Sequence, residues 1–303
     1  MLYMQVPAHV EYERATSVDH ALALLSRPDT RVLAGGHSLI PMMKLRLARP
    51  EMLVDINGLA ELSFIKLDAG QLRIGAMARH ADLLDSALAG RHFPIFGDAE
   101  RVIADPIVRL WGTVGGSLCQ ADPSEDLSAA FAATHATAVI RGQDGDREVP
   151  IREFHLGPYQ TVIARGELLA EIRVPVAGPA KGGRGSAYEK VARRVGDWSV
   201  AAAGAVLRLD GKNGIAQAGI GLTAVGAEHF VAAEAEEYLR GRAPDDESFA
   251  AAGRIAAEHC HPVADQRGPE DYKRHLVAEL TARALRRAAG RAALAAERAG
   301  RKK

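Results

Sequence analysis

Two segments set consecutive glycines beside hydroxyl side chains: Ala34-Gly35-Gly36-His37-Ser38 and Gly112-Thr113-Val114-Gly115-Gly116-Ser117. Glycine pairs permit positive φ and let several backbone N–H groups converge on one point, forming an anion-binding nest with no side chain in the way. Two such nests can share a diphosphate, with Ser38, Thr113 and Ser117 adding hydroxyl donors. Either pair alone is also what a plain tight turn requires. Two other groupings carry less. Gly219-Ile220-Gly221-Leu222-Thr223-Ala224 fits the G-x-G-x-x-A dinucleotide pattern, but Ile215 to Val225 reads as one continuous strand without a surrounding βαβ unit, so the strand is preferred. His259 and His261 flank Cys260, yet a zinc site needs a fourth ligand at recognised spacing, and a helix end is the simpler account.

The elements that must position these residues are mixed. Ser17 to Ser26 has an N-cap and apolar residues at helical spacing, predicting a short helix. Arg31 to Ala34 is a brief apolar run stopped by the first glycine pair, which predicts a buried strand. Met52 to Ile56 and Leu72 to Ala76 are further strands, and His80 to Leu88 a helix. A helix from Pro94 to Ile107 meets Asp105-Pro106, where the proline ends or redirects it. Asp126 to Thr137 is an alanine-rich helix, Ala138 to Arg141 a strand, Gly142 to Asp146 a turn, and Leu168 to Val176 a strand that closes the first unit. Ala177 to Gly185 (AGPAKGGRG) is the best linker. Val200 to Leu209 and Ile215 to Val225 form paired strands around a turn at residues 210–214. Helices follow at 227–241, 246–259 and from Tyr272 onward.

The chain of 303 residues is long enough for two domains. Lys+Arg and Asp+Glu both number 38, so no net field draws a polyanion and nucleic-acid binding is disfavoured. The two cysteines, Cys119 and Cys260, are too few for a four-cysteine iron–sulfur site, so any such cluster belongs on another chain. The N-terminus has no basic n-region, and no run reaches the roughly 18 apolar residues of a membrane span. The expectation is a cytoplasmic protein. Residues 276–303 are rich in alanine and arginine; a docked helix with solvated arginines is preferred over a peripheral membrane or partner grip.

The string Leu33 to Arg46 (LAGGHSLIPMMKLR), then Ile103-Ala104-Asp105-Pro106 and the second glycine segment, resembles the FAD-binding medium subunit of the xanthine dehydrogenase and aerobic carbon monoxide dehydrogenase family. The likeness continues through Asp122-Pro123 with Asp126, Gly157 to Thr161, Ala187 to Lys190, Gly196-Asp197-Trp198, Gly219 to Gly226 and Asp271 to Arg274. Several separated motifs in one order are far more specific than a glycine pair. The resemblance implies an α+β fold: a two-subdomain FAD-binding domain of the PCMH/vanillyl-alcohol-oxidase type, followed by a C-terminal α+β domain of carbon monoxide dehydrogenase flavoproteins. The implied boundaries are 1–177 (subdomains about 1–58 and 59–177), 178–290, and a basic tail at 291–303.

By the same resemblance FAD is held noncovalently. Its diphosphate lies on Ala34, Gly35, Gly36, His37, Ser38 and Leu39 from one segment and Thr113, Val114, Gly115, Gly116 and Ser117 from the other. Ile103 and Asp122 join the cofactor site, Asp126 lies toward the ribose and adenine, Leu169 lines the cleft, and Lys190 and Trp198 face the isoalloxazine. A cation such as Lys190 suits an anionic cofactor and a flat ring suits an aromatic neighbour. Two departures are Trp198, where tyrosine is frequent, and Ser117, where asparagine or aspartate is frequent. Relatives that reduce aromatic acyl thioesters carry an inserted four-cysteine cluster, which two cysteines disfavour. In other flavin oxidases a Gly-Gly-His histidine bonds flavin covalently, but the motif around His37 follows the noncovalent binders. The implied assembly is a duplicated heterotrimer with a large molybdenum-cofactor chain and a small [2Fe-2S] chain. A stand-alone flavin oxidase and a non-redox assembly protein are the rival readings. The oxidised substrate (carbon monoxide, a purine, a heterocycle or an aldehyde) and the acceptor (oxygen, a quinone or NAD) stay open.

Overall fold

The computed structural model describes residues 6–300 except 177, 179–181 and 213. The first unit runs β1 (Glu11–Arg14), α1 (Val18–Leu25), β2 (Thr30–Leu33), α2 (Leu39–Lys44) and β3 (Met52–Asp55). Its three strands are parallel in the order β1-β3-β2. The central strand β3 is buried at every position, as a strand covered on both faces must be. Ser17 Oγ accepts from His20 N–H at 3.1 Å and starts α1, whose Val18, Ala21, Leu22 and Leu25 are buried against this sheet.

The second unit holds β4 (Ile65–Asp68), β5 (Gln71–Gly75), α3 (His80–Asp85), α4 (Ala87–His92), α5 (Pro94–Val102), α6 (Pro106–Trp111), α7 (Val114–Gln120) and α8 (Leu127–Ala133). It continues with β6 (Thr137–Gly142), β7 (Gly145–Pro150), α9 (Ile151–Phe154), the small pair β8 (His155–Gly157) and β9 (Gln160–Thr161), and β10 (Leu168–Pro175). A five-stranded antiparallel sheet, ordered β4-β5-β10-β6-β7, packs on a core centred on Phe93, Phe96, Phe131 and Phe154. The rings of Phe96 and Phe131 lie 4.7 Å apart and tilted, a favourable aromatic geometry.

The third unit is an antiparallel sheet of β11 (Arg184–Ala192), β12 (Ser199–Leu209) and β13 (Ile215–Thr223), covered by α10 (Ala233–Leu239), α11 (Asp246–Glu258) and α12 (Glu270–Gly300). Side chains alternate along β12: Ala202 and Val206 join the core of the second unit, while Ala201, Ala203, Ala205 and Leu207 join the core under the last helices. Both faces are buried, so small residues dominate. On β13, a Cβ at Gly221 would collide with the Ala129 carbonyl and one at Gly219 with the Ala133 carbonyl, both on α8. The G-x-G pattern there is therefore a packing requirement between a strand and a helix.

Several expectations change. The predicted helix at 80–88 is two helices, divided at Ser86, whose Oγ accepts from Ala89 N–H and starts the second. The helix at 94–107 ends at Val102, and Pro106 opens a new one capped by the Asp105 carboxylate on Val108 N–H. The glycines at 115 and 116 belong to the first turn of α7 and not to a loop. The linker at 177–185 is shorter than expected because β11 begins at Arg184; residues 177 and 179–181 lie outside the described residues. The helix at 227–241 contracts to α10 after a short 3₁₀ turn. The expected tail at 291 is instead a continuation of α12, with Ala292 buried, and Arg301, Lys302 and Lys303 lie outside the described residues. Cys260 is buried in the last core and its thiol donates to the Ala257 carbonyl at 3.3 Å, while His259 pairs with Glu234.

The glycines separate packing from mere flexibility. Gly221→Ala should lower the unfolding free energy by about 1–3 kcal/mol through overpacking against α8. Gly90→Ala, in α4 with open space around it, should leave stability unchanged or raise it by up to ~1 kcal/mol. Urea denaturation of the two variants checks the contrast.

Candidate functional site

The two glycine segments meet. A Cβ on Gly35 would collide with the Trp111 carbonyl and lie 2.8 Å from the Gly112 Cα, so the end of β2 and the end of α6 touch backbone to backbone. Gly36 has φ +75, the left-handed region that favours glycine, and turns the chain into α2. Among the described residues the N–H groups of Gly36, His37, Ser38 and Leu39 have no acceptor, so this turn is open to an anion. His37 Nδ1 lies 3.0 Å from the Gly35 carbonyl, and the imidazole and Ser38 face solvent.

The second segment differs from its expected form. Val114 N–H donates to Ala78 O and Gly115 N–H to Ala76 O, both at 2.9 Å. Gly116 N–H donates to Thr113 Oγ1 at 3.0 Å, and Ser117 N–H to Thr113 O at 3.0 Å. Thr113 is thus the cap of α7, and these four amides are not a free nest. Gly115 is glycine because a Cβ would lie 2.6 Å from the Ala76 Cβ. The Ser117 hydroxyl donates to Glu125 Oε2 at 2.9 Å rather than standing ready for a phosphate. What this segment offers a ligand is a close backbone surface against the first turn.

A cavity of about 400 Å³ opens at the meeting point, lined by Leu33, Ala34, Gly35, His37, Ile40, Asn57, Ile107 and Trp111. Apolar walls with few polar groups are the ordinary make-up of a small-molecule site. Asn57 Nδ2 donates to Ala34 O at 2.8 Å, and Asn57 N–H to Asp55 Oδ1 at 2.8 Å. Arg79 Nη2 donates to Asn57 Oδ1 at 2.8 Å and its Nη1 to Trp111 O. Neither Asn57 nor Arg79 stood out in the sequence, where an asparagine after a strand and an arginine before a helix are unremarkable.

Beneath this floor lies a row of buried acids. His80 Nδ1 is 3.0 Å from both carboxylate oxygens of Glu100, and the His80 ring lies directly under Gly112. Burial disfavours the imidazolium, but the Glu100 carboxylate outweighs it and raises the His80 pKa. Burial raises the Glu100 pKa as well. Glu125 is wholly enclosed, and burial pushes its carboxyl up to about 7 against the hydrogen bonds it accepts from Ser128 and Ser117.

Ile103, Asp126, Lys190 and Trp198 gather around residues 102–104. Lys190 Nζ donates to Val102 O at 3.1 Å and pairs with Asp126 Oδ2 at 2.8 Å, both side chains almost fully buried. Tyr188 Oη and Ser199 Oγ donate to the other Asp126 oxygen, each at 2.9 Å. Two groups bonded to each other cannot attend opposite ends of an extended dinucleotide, so the separate placements of Asp126 at the adenine and Lys190 at the isoalloxazine do not fit. Gly196 rests on the Ala104 carbonyl and brings the 193–198 loop here, leaving Trp198 44% exposed. Ile103 is half-buried, with its carbonyl accepting from Arg109 Nη1 at 2.8 Å. Asp122 accepts from Ser124 N–H at 2.9 Å and from Tyr159 Oη at 3.1 Å. Leu169 is 4% exposed on the central strand β10 and packs in the core. The six residues of α6, about 9 Å long, join the two neighbourhoods.

Two outcomes follow. Lys190→Met leaves the Asp126 carboxylate buried without its cation and should cost about 3–5 kcal/mol in denaturant unfolding, far more than Lys66→Met on the surface. Glu125 is protonated in the folded chain up to about pH 7 but only to its ordinary value of 4.5 when unfolded. Its contribution is therefore full below pH 4.5 and is lost as pH rises to 7, by roughly 3 kcal/mol. Glu125→Gln should flatten that fall in a plot of unfolding free energy against pH; an unchanged slope would refute the assignment.

Comparison with known proteins places this geometry. The profile described as "FAD binding domain in molybdopterin dehydrogenase" matches residues 8–177, and that of the "CO dehydrogenase flavoprotein C-terminal domain" matches residues 186–288. The carbon monoxide dehydrogenase medium chain of Hydrogenophaga pseudoflava is 39% identical over 95% of this chain and 100% of its own. The glyceraldehyde dehydrogenase medium chain of Sulfolobus acidocaldarius is 35% identical over 93% and 99%. A crystal structure of the Cu,Mo-CO dehydrogenase in its cyanide-inactivated form contains a chain that superposes with a TM-score of 0.90 at 39% identity, covering 95% of this chain and all of that one. With the glycine turns abutting at the mouth of the cleft and both profiles matched in order, the chain belongs to the family of FAD-binding medium subunits of molybdenum-containing dehydrogenases.

Proposed function

We propose that this chain is the electron-transfer subunit of a molybdenum-containing dehydrogenase, holding FAD across its two glycine segments and passing electrons from [2Fe-2S] clusters on a small partner chain to an external acceptor. Substrate is oxidised on a large partner chain carrying the molybdenum cofactor, and the three chains assemble as a duplicated heterotrimer. The observation that carries this reading is the open amide turn at Gly36–Leu39, held beside the second glycine segment by a backbone contact of Gly35 with Trp111 and Gly112 that no Cβ could enter. FAD supplies the junction chemistry, accepting electrons singly and releasing them in pairs.

The chain's own residues bind and orient. The free amides of residues 36–39 would meet the diphosphate with the Trp111–Gly112 backbone at their side, and Thr113, Val114, Gly115 and Gly116 would hold that backbone in place through the first turn of α7. Asp122, fixed by Ser124 and Tyr159, offers a carboxylate to ribose hydroxyls. Ile103 would supply aliphatic contact and Trp198 a flat aromatic one where the 193–198 loop meets Ala104, and Lys190, paired with Asp126, holds the Val102 carbonyl. The division into a domain at 1–177 and another from 178 is supported by the extents of the two matched profiles. Medium chains from a carbon monoxide enzyme and a glyceraldehyde enzyme align with this one nearly end to end, which supports placing substrate choice on the large partner.

The test is direct. Acid precipitation of the purified complex should release one FAD per chain into the supernatant. Gly36→Val, which places a branched side chain at φ +75 and against Ile40, should weaken FAD retention by about tenfold or more without altering assembly. The 450 nm absorbance of the wild-type chain alone should not bleach with substrate, and should do so once both partners are added. Normal flavin content in the Gly36 variant would remove the cradle argument.

A further inference from the structure

Arg79 stands immediately before α3, half-buried, at the junction of the two glycine segments. Its Nη2 is anchored on Asn57, which itself holds the Ala34 carbonyl of the first segment, and its Nη1 on the carbonyl of Trp111, the residue that leads into the second. Its guanidinium carbon lies 6.0 Å from the centre of the Trp111 ring. Both anchors are neutral. Among the described residues no carboxylate bonds the guanidinium, and the acids that influence it, Asp82 and Asp55, act only at a distance. Of five guanidinium N–H groups two are engaged, so the others remain available.

Arg73, Arg147, Arg152 and Arg291 close on carboxylates, while Arg109, Arg184 and Arg274, like Arg79, bond neutral carbonyls; what distinguishes Arg79 is its link through Asn57 to the turn whose amides lack acceptors. A partly buried guanidinium held only by neutral acceptors keeps its charge uncompensated, so an anion placed beside it is attracted more strongly than in bulk water. The amides of residues 36–39, likewise without acceptors, are on the segment that Arg79 holds through Asn57.

We propose that Arg79 is an anion-binding residue of this cradle: it straps the two glycine segments together through Asn57 and Trp111 and supplies the positive charge opposite the phosphoryl groups of the dinucleotide. The proposal rests on the flavin reading above and adds the source of charge that backbone amides alone do not provide. A guanidinium suits the task because it stays charged and can meet two oxygens at once.

The experiment uses the assembled complex stripped of flavin, titrated separately with FAD, FMN and riboflavin at low and high salt. Arg79→Met should weaken FAD binding roughly tenfold to a hundredfold, as loss of a charge-assisted contact does. It should also abolish the decline of FAD affinity with salt, while changing riboflavin affinity less than about twofold. Arg79→Lys should recover part of the FAD affinity, which a purely structural strap would not predict. Arg79→Met with wild-type FAD affinity, or with equal losses for FAD and riboflavin, overturns the proposal and leaves the flavin reading standing. A wild-type complex that rebinds none of the three overturns both.

Discussion

The architecture of the site depends on one contact in which no side chain can take part, the approach of Gly35 to the backbone of Trp111 and Gly112. The first segment ends a strand of a parallel sheet, and the second ends a helix of the following unit. Only because the first residue is glycine can the two main chains touch, and that touch fixes the mouth of the cleft. Gly115 repeats the device one layer down, against Ala76 at the end of β5, and seats α7 where its first turn forms a wall. Close backbone packing is geometrically unforgiving, which is what a binding surface made of amides needs.

Charge is organised differently, in buried pairs that tie units together. Asp126 accepts from Tyr188, Lys190 and Ser199, so a residue before α8 is gripped by β11 and β12 of the third unit. Asp98 on α5 is gripped by Arg291 and Arg287 of α12 and by Tyr188 N–H. Such pairs contribute less to stability than apolar residues of the same size would, because desolvation offsets their attraction. Their contribution is to register: a shift of the third unit would leave Asp98 and Asp126 buried and unpaired.

The legible parts of the sequence were those governed by local rules. The cap at Ser17, the proline at 106 and the apolar runs of β12 and β13 on either side of a turn each announced their elements. The glycine segments announced a site, and the family resemblance gave it a cofactor. What stayed hidden was non-local. Nothing near Thr113 says that its hydroxyl caps a helix rather than meeting a phosphate, since the reading as a turn and as a helical first turn share the same residues. Lys190 and Asp126 are each plausible ligands until their separation of 64 positions closes into a salt bridge. β11 was masked by the glycines that precede it, and Arg79 acquires its meaning only from Asn57 and Trp111, 22 residues before and 32 after it.

The grip of α12 on α5 has a bearing on synthesis. This helix of 31 residues follows the flavin-binding region in the chain, and Arg291 meets Asp98 at a separation of 193 positions. A nascent chain on the ribosome can assemble its flavin-binding region in outline, but a carboxylate there lacks its guanidinium partner until α12 has been made. Truncation just before Arg291, though remote from the cleft in sequence, removes that partner and uncovers Gly183 and the first residues of β11, against which Ala292 packs.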